Sequence, residues 1–166
     1  MVVLKWLLIA LAVLVTLVLL ALLAGQLGLL QGKPPASLGV REGRLKPPSK
    51  TPNSVTSQAA LYPDHPMREA ARIEPLPLKG DGPSTLARIG RIVEGMRGAQ
   101  VLKSEPDYLY AQFTTPLMKY VDDTEFWFDP AASVIQVRSA SRVGHGDRGL
   151  NRARVEAIRS QLATAP

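Results

Sequence analysis

The stretch VDDTEFWFDPAASVIQVRSASRVGHGDRGLNRARVEAIRSQL, residues 121–162, decides the fold of this chain. In a strand over residues 120–128, successive side chains point to opposite faces, and both faces turn from acidic to apolar toward Phe128. Asp129 and Pro130 begin a turn, and a second strand over residues 134–142 returns beside the first. The stretch therefore predicts an antiparallel hairpin, followed by a glycine-containing loop and a helix over residues 148–163.

The charged residues of this hairpin form the predicted polar centre. Antiparallel pairing sets the acidic end of the first strand beside the basic end of the second, and each such pair contributes about 0.2–1 kcal/mol. The residues in question are Asp122, Asp123, Glu125, Arg138 and Arg142. They are either a binding or catalytic cluster or an ion-pair ladder that sets the register of the strands.

The loop over residues 144–149 reads GHGDRG, which matches the G-x-G-x-x-G pattern. That pattern indicates a dinucleotide site only inside a strand–helix–strand unit, and we expect no further strand after the last helix. We therefore predict no cofactor. Asp147 is suited to cap the helix, and anion binding at the helix N-terminus is the alternative.

The last helix places an amide on its apolar side. Val155, Ile158 and Leu162 follow helical spacing, and Asn151 lies four residues before Val155. A buried amide without hydrogen bonds costs on the order of 1–3 kcal/mol. We therefore expect Asn151 to tie this helix to the strand end or to the glycine loop.

The N-terminal segment predicts a membrane anchor. Residues 6–24 are apolar except for Thr16, which suits the roughly 20 residues that span a bilayer. A signal-peptide core is usually shorter, and Leu22-Leu23-Ala24 lacks the small residue of a cleavage site, which favours a retained single-pass anchor over residues 1–30. Basic residues after the segment favour a cytoplasmic domain, whereas a lone N-terminal apolar segment commonly directs export.

Composition limits the remaining possibilities. The chain has 166 residues, no cysteine and a net charge of +6, with no long basic run, so disulfides, thiol chemistry and nucleic-acid binding are not expected. Residues 31–52 are rich in Pro, Gly and Lys and predict an extended linker that makes no core. Residues 53–166 then form a single domain.

The order of elements predicts the fold class. A helix begins after Asp81, strands follow over residues 100–103 and 108–114, and the hairpin and last helix complete the domain. Residues 62–78 are expected to cross the domain irregularly, held by Ile73, Leu76 and Leu78. The prediction is an α+β fold: an N-terminal transmembrane helix, a linker, and a two-layer domain with a four-stranded antiparallel sheet and two helices on one face.

Four segments resemble one family. They are TPNSVTSQA at residues 51–59, VDDTEF at 121–126, RSASRVG at 138–144, and DRGLNRARVE at 147–156 with Arg159. Together they are similar to the domain of unknown function 1499, found in bacteria and plastids. The resemblance implies a compact domain that is often exported or membrane-tethered, and it implies no mechanism. The resemblance also implies that many members of the family have cysteines near the first segment, at positions where this chain has Pro48 and Ser54.

We expect a membrane-anchored binding or assembly module of the cell envelope, with its domain on the extracytoplasmic side. Its partners would be the bilayer, through the first helix, and a protein of the envelope. The alternative is a hydrolase or divalent-metal enzyme built on the same acidic cluster, or on Ser139, His145 and Asp147, although we assign no metal ligands. The candidate site residues are Asp122, Asp123, Glu125, Arg138, Ser139, Ser141, Arg142, His145, Asn151 and Arg152.

A further hypothesis concerns the basic residues that follow the anchor. Near an anionic membrane each such residue adds on the order of 1 kcal/mol to binding. The residues are Lys33, Arg41, Arg44, Lys46 and Lys50.

Overall fold

The computed structural model describes residues 1–164, in which an apolar N-terminal helix precedes an α+β domain. The helices are α1 (Val2–Gln26), α2 (Arg68–Ala71), α3 (Gly82–Glu94) and α4 (Leu150–Thr164). The strands are β1 (Ser54–Thr56), β2 (Leu76–Pro77), β3 (Ala99–Ser104), β4 (Tyr108–Thr114), β5 (Val121–Asp129) and β6 (Val134–Ser141).

The strands form one antiparallel sheet in the order β1-β6-β5-β4-β3, and β2 also pairs with β6, next to β1. The four predicted strands are confirmed as β3 to β6, but a sheet of four strands is wrong, because over residues 1–164 it has six. The two additional strands have three and two residues, too few to show an alternating pattern. Pro77 has no backbone N–H to donate and suits an edge position.

Helices α3 and α4 cover one face of this sheet, as predicted. Asp81 begins α3 by accepting a hydrogen bond from the backbone N–H of Ser84, and Pro83 occupies its first turn. Fully burying one aliphatic side chain contributes about 1.5–3 kcal/mol. The core between helices and sheet consists mainly of Leu76, Leu86, Ile89, Val93, Leu109, Phe126, Ile135, Val137, Val155, Ile158 and Leu162.

The opposite face of the sheet is covered by part of the predicted linker. Leu45 is 1% exposed and packs with Tyr108 and Tyr110. Its backbone N–H donates to Gln58 Oε1 at 2.8 Å, and its carbonyl accepts from the Tyr62 hydroxyl at 2.6 Å. The expectation that residues 31–52 contribute nothing to a hydrophobic core is therefore wrong at Leu45. The domain boundaries at residues 30 and 52 stay predictions.

Helix α1 is long and apolar enough to cross a membrane, a property that signal sequences share. Its 25 residues give a length of about 38 Å, compared with about 30 Å for the hydrocarbon core of a bilayer. Its end contacts the domain, because Gln26 Nε2 donates to the carbonyls of Pro116 and Leu117 at 3.3 and 2.7 Å. A Cβ atom on Gly25 would lie 2.9 Å from Met118 Cα, so glycine permits this close approach.

Candidate functional site

Polar side chains of the hairpin are divided between the two faces of the sheet. Because side chains alternate along β5, Asp122 points to the helices and Asp123 to the opposite face. The helix-face network consists of Asp122, Thr124, Ser139, Ser141, Asn151 and Arg154. The opposite-face network consists of Tyr108, Tyr110, Asp123, Glu125, Arg138 and Arg142.

Arg154 is the centre of the helix-face network. Its Nη2 donates to Asp122 Oδ2 at 2.6 Å in an ion pair whose side chains are 7% and 5% exposed. Its Nη1 donates to Asn151 Oδ1 at 2.7 Å and to Ser139 Oγ at 3.2 Å. The guanidinium also lies 4.3 Å from the centre of the Phe113 ring. The arginine therefore joins α4 to both strands of the hairpin.

Asn151 is fully buried and uses both ends of its amide. Its Nδ2 donates to the Asn53 carbonyl at 3.1 Å, to Ser141 Oγ at 3.1 Å and to Asp147 Oδ2 at 2.8 Å. Its Oδ1 accepts from Ser139 Oγ at 2.5 Å. The prediction that Asn151 ties the last helix to the strand end or to the glycine loop is confirmed, since it contacts Ser141 at the strand end and Asp147 in the loop.

Asp147 caps α4, as predicted. Its Oδ1 accepts the backbone N–H of Gly149 and its Oδ2 accepts that of Asn151, both at 2.9 Å. Burial raises the pKa of Asp147, but these hydrogen bonds outweigh burial and leave the pKa below its ordinary value. The suggested catalytic set of Ser139, His145 and Asp147 is wrong, because Ser139 is buried among other partners while His145 is exposed on the loop.

Asp123 and Arg142 form the ion pair expected within the hairpin. Arg142 donates from Nη2 to Asp123 Oδ1 at 2.8 Å and from Nε to Oδ2 at 2.9 Å. Hydrogen bonding to Asp123 raises the pKa of Arg142 above its ordinary value. The Tyr110 hydroxyl also donates to Asp123, at 2.6 Å, and burial together with this bond raises the pKa of Tyr110.

Glu125 and Arg138 are cross-strand neighbours but form no ion pair in residues 1–164. Glu125 Oε1 accepts from the Tyr108 hydroxyl and from the Gly39 N–H, both at 2.7 Å, and Oε2 is buried without a hydrogen-bond partner. Arg138 donates from Nε to the Pro47 carbonyl at 3.2 Å, and burial lowers its pKa. The predicted alignment of Glu125 with Arg138 across the hairpin is confirmed, but the expected ion pair between them is wrong. An ion pair within the hairpin is also wrong for Asp122, whose partner is Arg154 of α4.

Arg152 and His145 lie outside both networks. Arg152 Nη2 donates to the carbonyls of Ala70 and Arg72 at 3.0 and 2.7 Å, which fastens α4 to the end of α2. The structure therefore gathers eight of the ten candidates, in two separate groups, and assigns Arg152 a contact between helices.

Four members of the two networks were not among the candidates, namely Thr124, Arg154, Tyr108 and Tyr110. Arg154 follows Asn151 by three residues and precedes Ile158 by four, so helical spacing places it on the buried stripe. The tyrosines alternate along β4 on the face opposite the helices. This alternation was visible, but nothing local showed that the second face would also be covered.

The helix-face network reaches a cleft of about 610 Å³ at the end of α1. Its polar lining includes Asp122, Ser141, Asp147 and Arg148, and its apolar lining includes Leu29, Leu30, Tyr120, Val143 and Leu150. Gly32 has a φ of +73°, and a Cβ there would lie 2.7 Å from Val143 Cγ1. The chain that leaves α1 therefore forms one wall of the cleft.

The acidic residues do not converge on one point. Asp122 bonds Arg154, Asp123 bonds Arg142, and Glu125 bonds Tyr108 and Gly39. Among residues 1–164 no group of three or more His, Cys, Asp or Glu side chains is placed to hold a metal ion. The arrangement provides buried anchoring bonds and an amphipathic cleft.

Comparison with known proteins gives one result. No curated protein matches the chain, and no solved structure matches it. A family model described as "Protein of unknown function (DUF1499)" matches residues 44–162, more than two thirds of the chain. This range contains all six strands, helices α2 and α3, α4 up to Leu162, and both networks. The chain belongs to the DUF1499 family.

Proposed function

We propose that the protein is a single-pass membrane protein of the cell envelope whose extracytoplasmic domain binds an amphiphilic ligand in the cleft beside α1. The bilayer is its partner through α1. Retention of α1 is supported by its 25 residues, more than the usual apolar core of a signal peptide, and by Leu22-Leu23-Ala24, which lacks the small residue of a cleavage site. The extracytoplasmic side is supported by the lone apolar N-terminal segment, which commonly directs export.

The observation that carries this function is that one cleft has both an apolar wall and a polar wall. Leu29 and Leu30 provide an apolar wall directly after α1, where a ligand from the bilayer would arrive. Asp122 and Ser141 provide hydrogen-bond acceptors that the buried network holds in place. An amphiphile with a hydrogen-bond donor in its polar group, or an amphipathic segment of an envelope protein, fits this lining.

A cysteine-labelling experiment tests both location and occupancy, because the chain contains no cysteine. Tyr120→Cys places a thiol in the cleft, and Leu102→Cys places a control thiol on an exposed strand edge. A membrane-impermeant maleimide is applied to intact cells, to permeabilised cells, and to purified protein in vesicles of phosphatidylcholine alone. We expect the control to react in intact cells, and the cleft thiol to react at least tenfold more slowly in cells than in the vesicles.

Two results would count against the proposal. A control thiol that reacts only after permeabilisation would place the domain in the cytoplasm. A cleft thiol that reacts at the same rate in cells and in phosphatidylcholine vesicles would show that no specific envelope molecule occupies the cleft.

A further inference from the structure

A second cavity lies on the opposite face of the sheet, under the segment that follows the anchor. Its volume is about 270 Å³, and its lining includes Ser37, Arg41, Arg44, Lys46, Pro47 and Tyr62. We call it the basic pocket, since three of these residues carry positive charge. It is separate from the cleft, which opens on the helix face.

A tight turn places two of the basic residues side by side. Arg41 and Arg44 exchange backbone hydrogen bonds of 2.9 and 3.0 Å, and the residues between them, Glu42 and Gly43, have φ of +51° and +70°. Positive φ at both central residues is the conformation of a two-residue hairpin turn. Paired residues of a hairpin project their side chains to the same side, so the two guanidinium groups border one cavity.

A third guanidinium lies behind the pocket wall. Arg138 is 7% exposed, and its Nε donates to the carbonyl of Pro47, which lines the pocket. In residues 1–164 no carboxylate lies within ion-pair distance of it, although Glu125 is its cross-strand neighbour. Glu125 and Asp123 attract Arg138 electrostatically, but neither lies within ion-pair distance of its buried guanidinium. A bound anion in direct contact would therefore stabilise this arrangement further.

The local charge remains positive after the acids are counted. Arg41, Arg44 and Lys46 line the pocket, and Arg138 lies behind its wall. The carboxylates to set against them are Glu42 on the turn and Glu125 beneath the segment, because Asp123 is neutralised by its ion pair with Arg142. The balance is +2, which a group with two negative charges neutralises. Guanidinium groups bind phosphate oxygens with paired, directional hydrogen bonds.

We propose that the basic pocket binds a phosphate-bearing anion. The phosphate belongs either to a free small molecule or to a phospholipid headgroup, and the two sources share the same recognition chemistry. This proposal is independent of the ligand in the cleft, because the two cavities lie on opposite faces of the sheet.

The test is a titration of the full chain in maltoside micelles, followed by two-dimensional amide NMR. Inorganic phosphate is added at constant ionic strength, with chloride as the reference anion. Parallel titrations use dioctanoyl phosphatidic acid and dioctanoyl phosphatidylcholine. We expect saturable shifts for the amides of Gly39, Arg44 and Leu45, and at least tenfold weaker binding in the Arg41→Gln/Arg44→Gln variant.

Arg97→Gln is the matched control, since Arg97 is an exposed arginine in the turn after α3, away from the pocket. Both substitutions alter exposed side chains, so the spectra also report that each variant is folded. Shifts that chloride reproduces, or equal weakening by Arg97→Gln, would overturn the proposal. Tighter binding of phosphatidic acid than of both phosphate and phosphatidylcholine assigns the site to a lipid headgroup, and equal binding of the acid and free phosphate assigns it to a free anion.

Discussion

Arg154 shows what one buried charge contributes at the scale of a residue. It bonds Asp122, Ser139 and Asn151, and its guanidinium stacks over Phe113. A buried ion pair is not by itself strongly stabilising, because both charges lose their hydration. Removing one partner is different, since the remaining charge is then buried without compensation.

Arg154→Met should therefore lower the free energy of unfolding by about 3–5 kcal/mol. The double variant Asp122→Asn/Arg154→Met should lose less, because it leaves no unpaired charge. The measurement is urea unfolding of the full chain in maltoside, followed by the fluorescence of Trp127 in a Trp6→Phe background.

The exposed substitution Arg97→Met serves as the control for this pair and should change stability by less than about 0.5 kcal/mol. A double variant that is as unstable as Arg154→Met would show that the bonds to Ser139 and Asn151, and not the ion pair, carry the effect.

At the scale of an element, the beginning of α4 depends on Asp147. Its carboxylate accepts hydrogen bonds from the backbone N–H groups of Gly149 and Asn151, which have no partner inside the helix. It also accepts a hydrogen bond from Nδ2 of Asn151. The same residue therefore caps the helix and orients the amide that enters the helix-face network. Arg148 has a φ of +54° and Gly149 a φ of +81°, which turns the chain from the loop into the helix.

Asp147→Ala should destabilise the protein by about 1 kcal/mol at neutral pH, the usual cost of losing an N-cap. The pKa of Asp147 is lowered in the folded protein, so the unfolded chain binds the proton more readily and stability rises with pH. The contribution is complete above the ordinary pKa of 3.8 and is lost as pH falls through the lower folded pKa.

Urea unfolding of the native chain and Asp147→Ala, repeated from pH 7 to pH 2.5, measures this dependence. The difference between the two should be constant above about pH 5 and should shrink below pH 4. Asp64→Ala, at an exposed loop position, should show no such difference. A pH-independent cost of Asp147→Ala would mean that the charge has no part in the cap.

At the scale of the whole molecule, the prediction of two layers is wrong, because the segment at residues 38–47 covers the second face of the sheet as a third layer. Leu45 and Gly39 connect this segment to Gln58 and to Glu125 on the sheet. The end of α1 is held by Pro116 and Leu117, so contacts with the domain occur on both sides of residues 27–37. Contacts with the domain therefore hold both ends of the chain that joins α1 to residues 38–47.

Leu45→Ala should lower the free energy of unfolding by about 2–5 kcal/mol, the range for removing a buried leucine side chain. Leu102→Ala is the control, because Leu102 is 45% exposed on β3 and should cost about 0.5 kcal/mol or less. The same fluorescence-detected unfolding measures both. Equal stability of the two variants would show that residues 38–47 are a free linker.

Much of the fold was accessible from local patterns. The hairpin of β5 and β6, helix α3 after Asp81, and the inward position of Asn151 all follow from spacing along a few turns or strand residues. Strands β1 and β2 were not accessible, since three and two residues are too short to show a period. For the candidate site, the sequence identified most of the polar residues. It predicted a partner for Asp122 within the hairpin, whereas the partner is Arg154 of α4.

The sequence by itself determined the apolar N-terminal helix, the α+β order of elements and the polar character of the hairpin, because each depends on periodicity over neighbouring residues. Only the tertiary structure decided which charges meet. Arg154 lies 32 residues from Asp122, and Gly39 lies 86 residues from Glu125, so their contacts depend on how helix and segment settle on the two faces of the sheet. Successive side chains of a strand point to opposite faces of the sheet, so Asp122 lies on the helix face beside Arg154 and Asp123 lies on the other face beside Arg142.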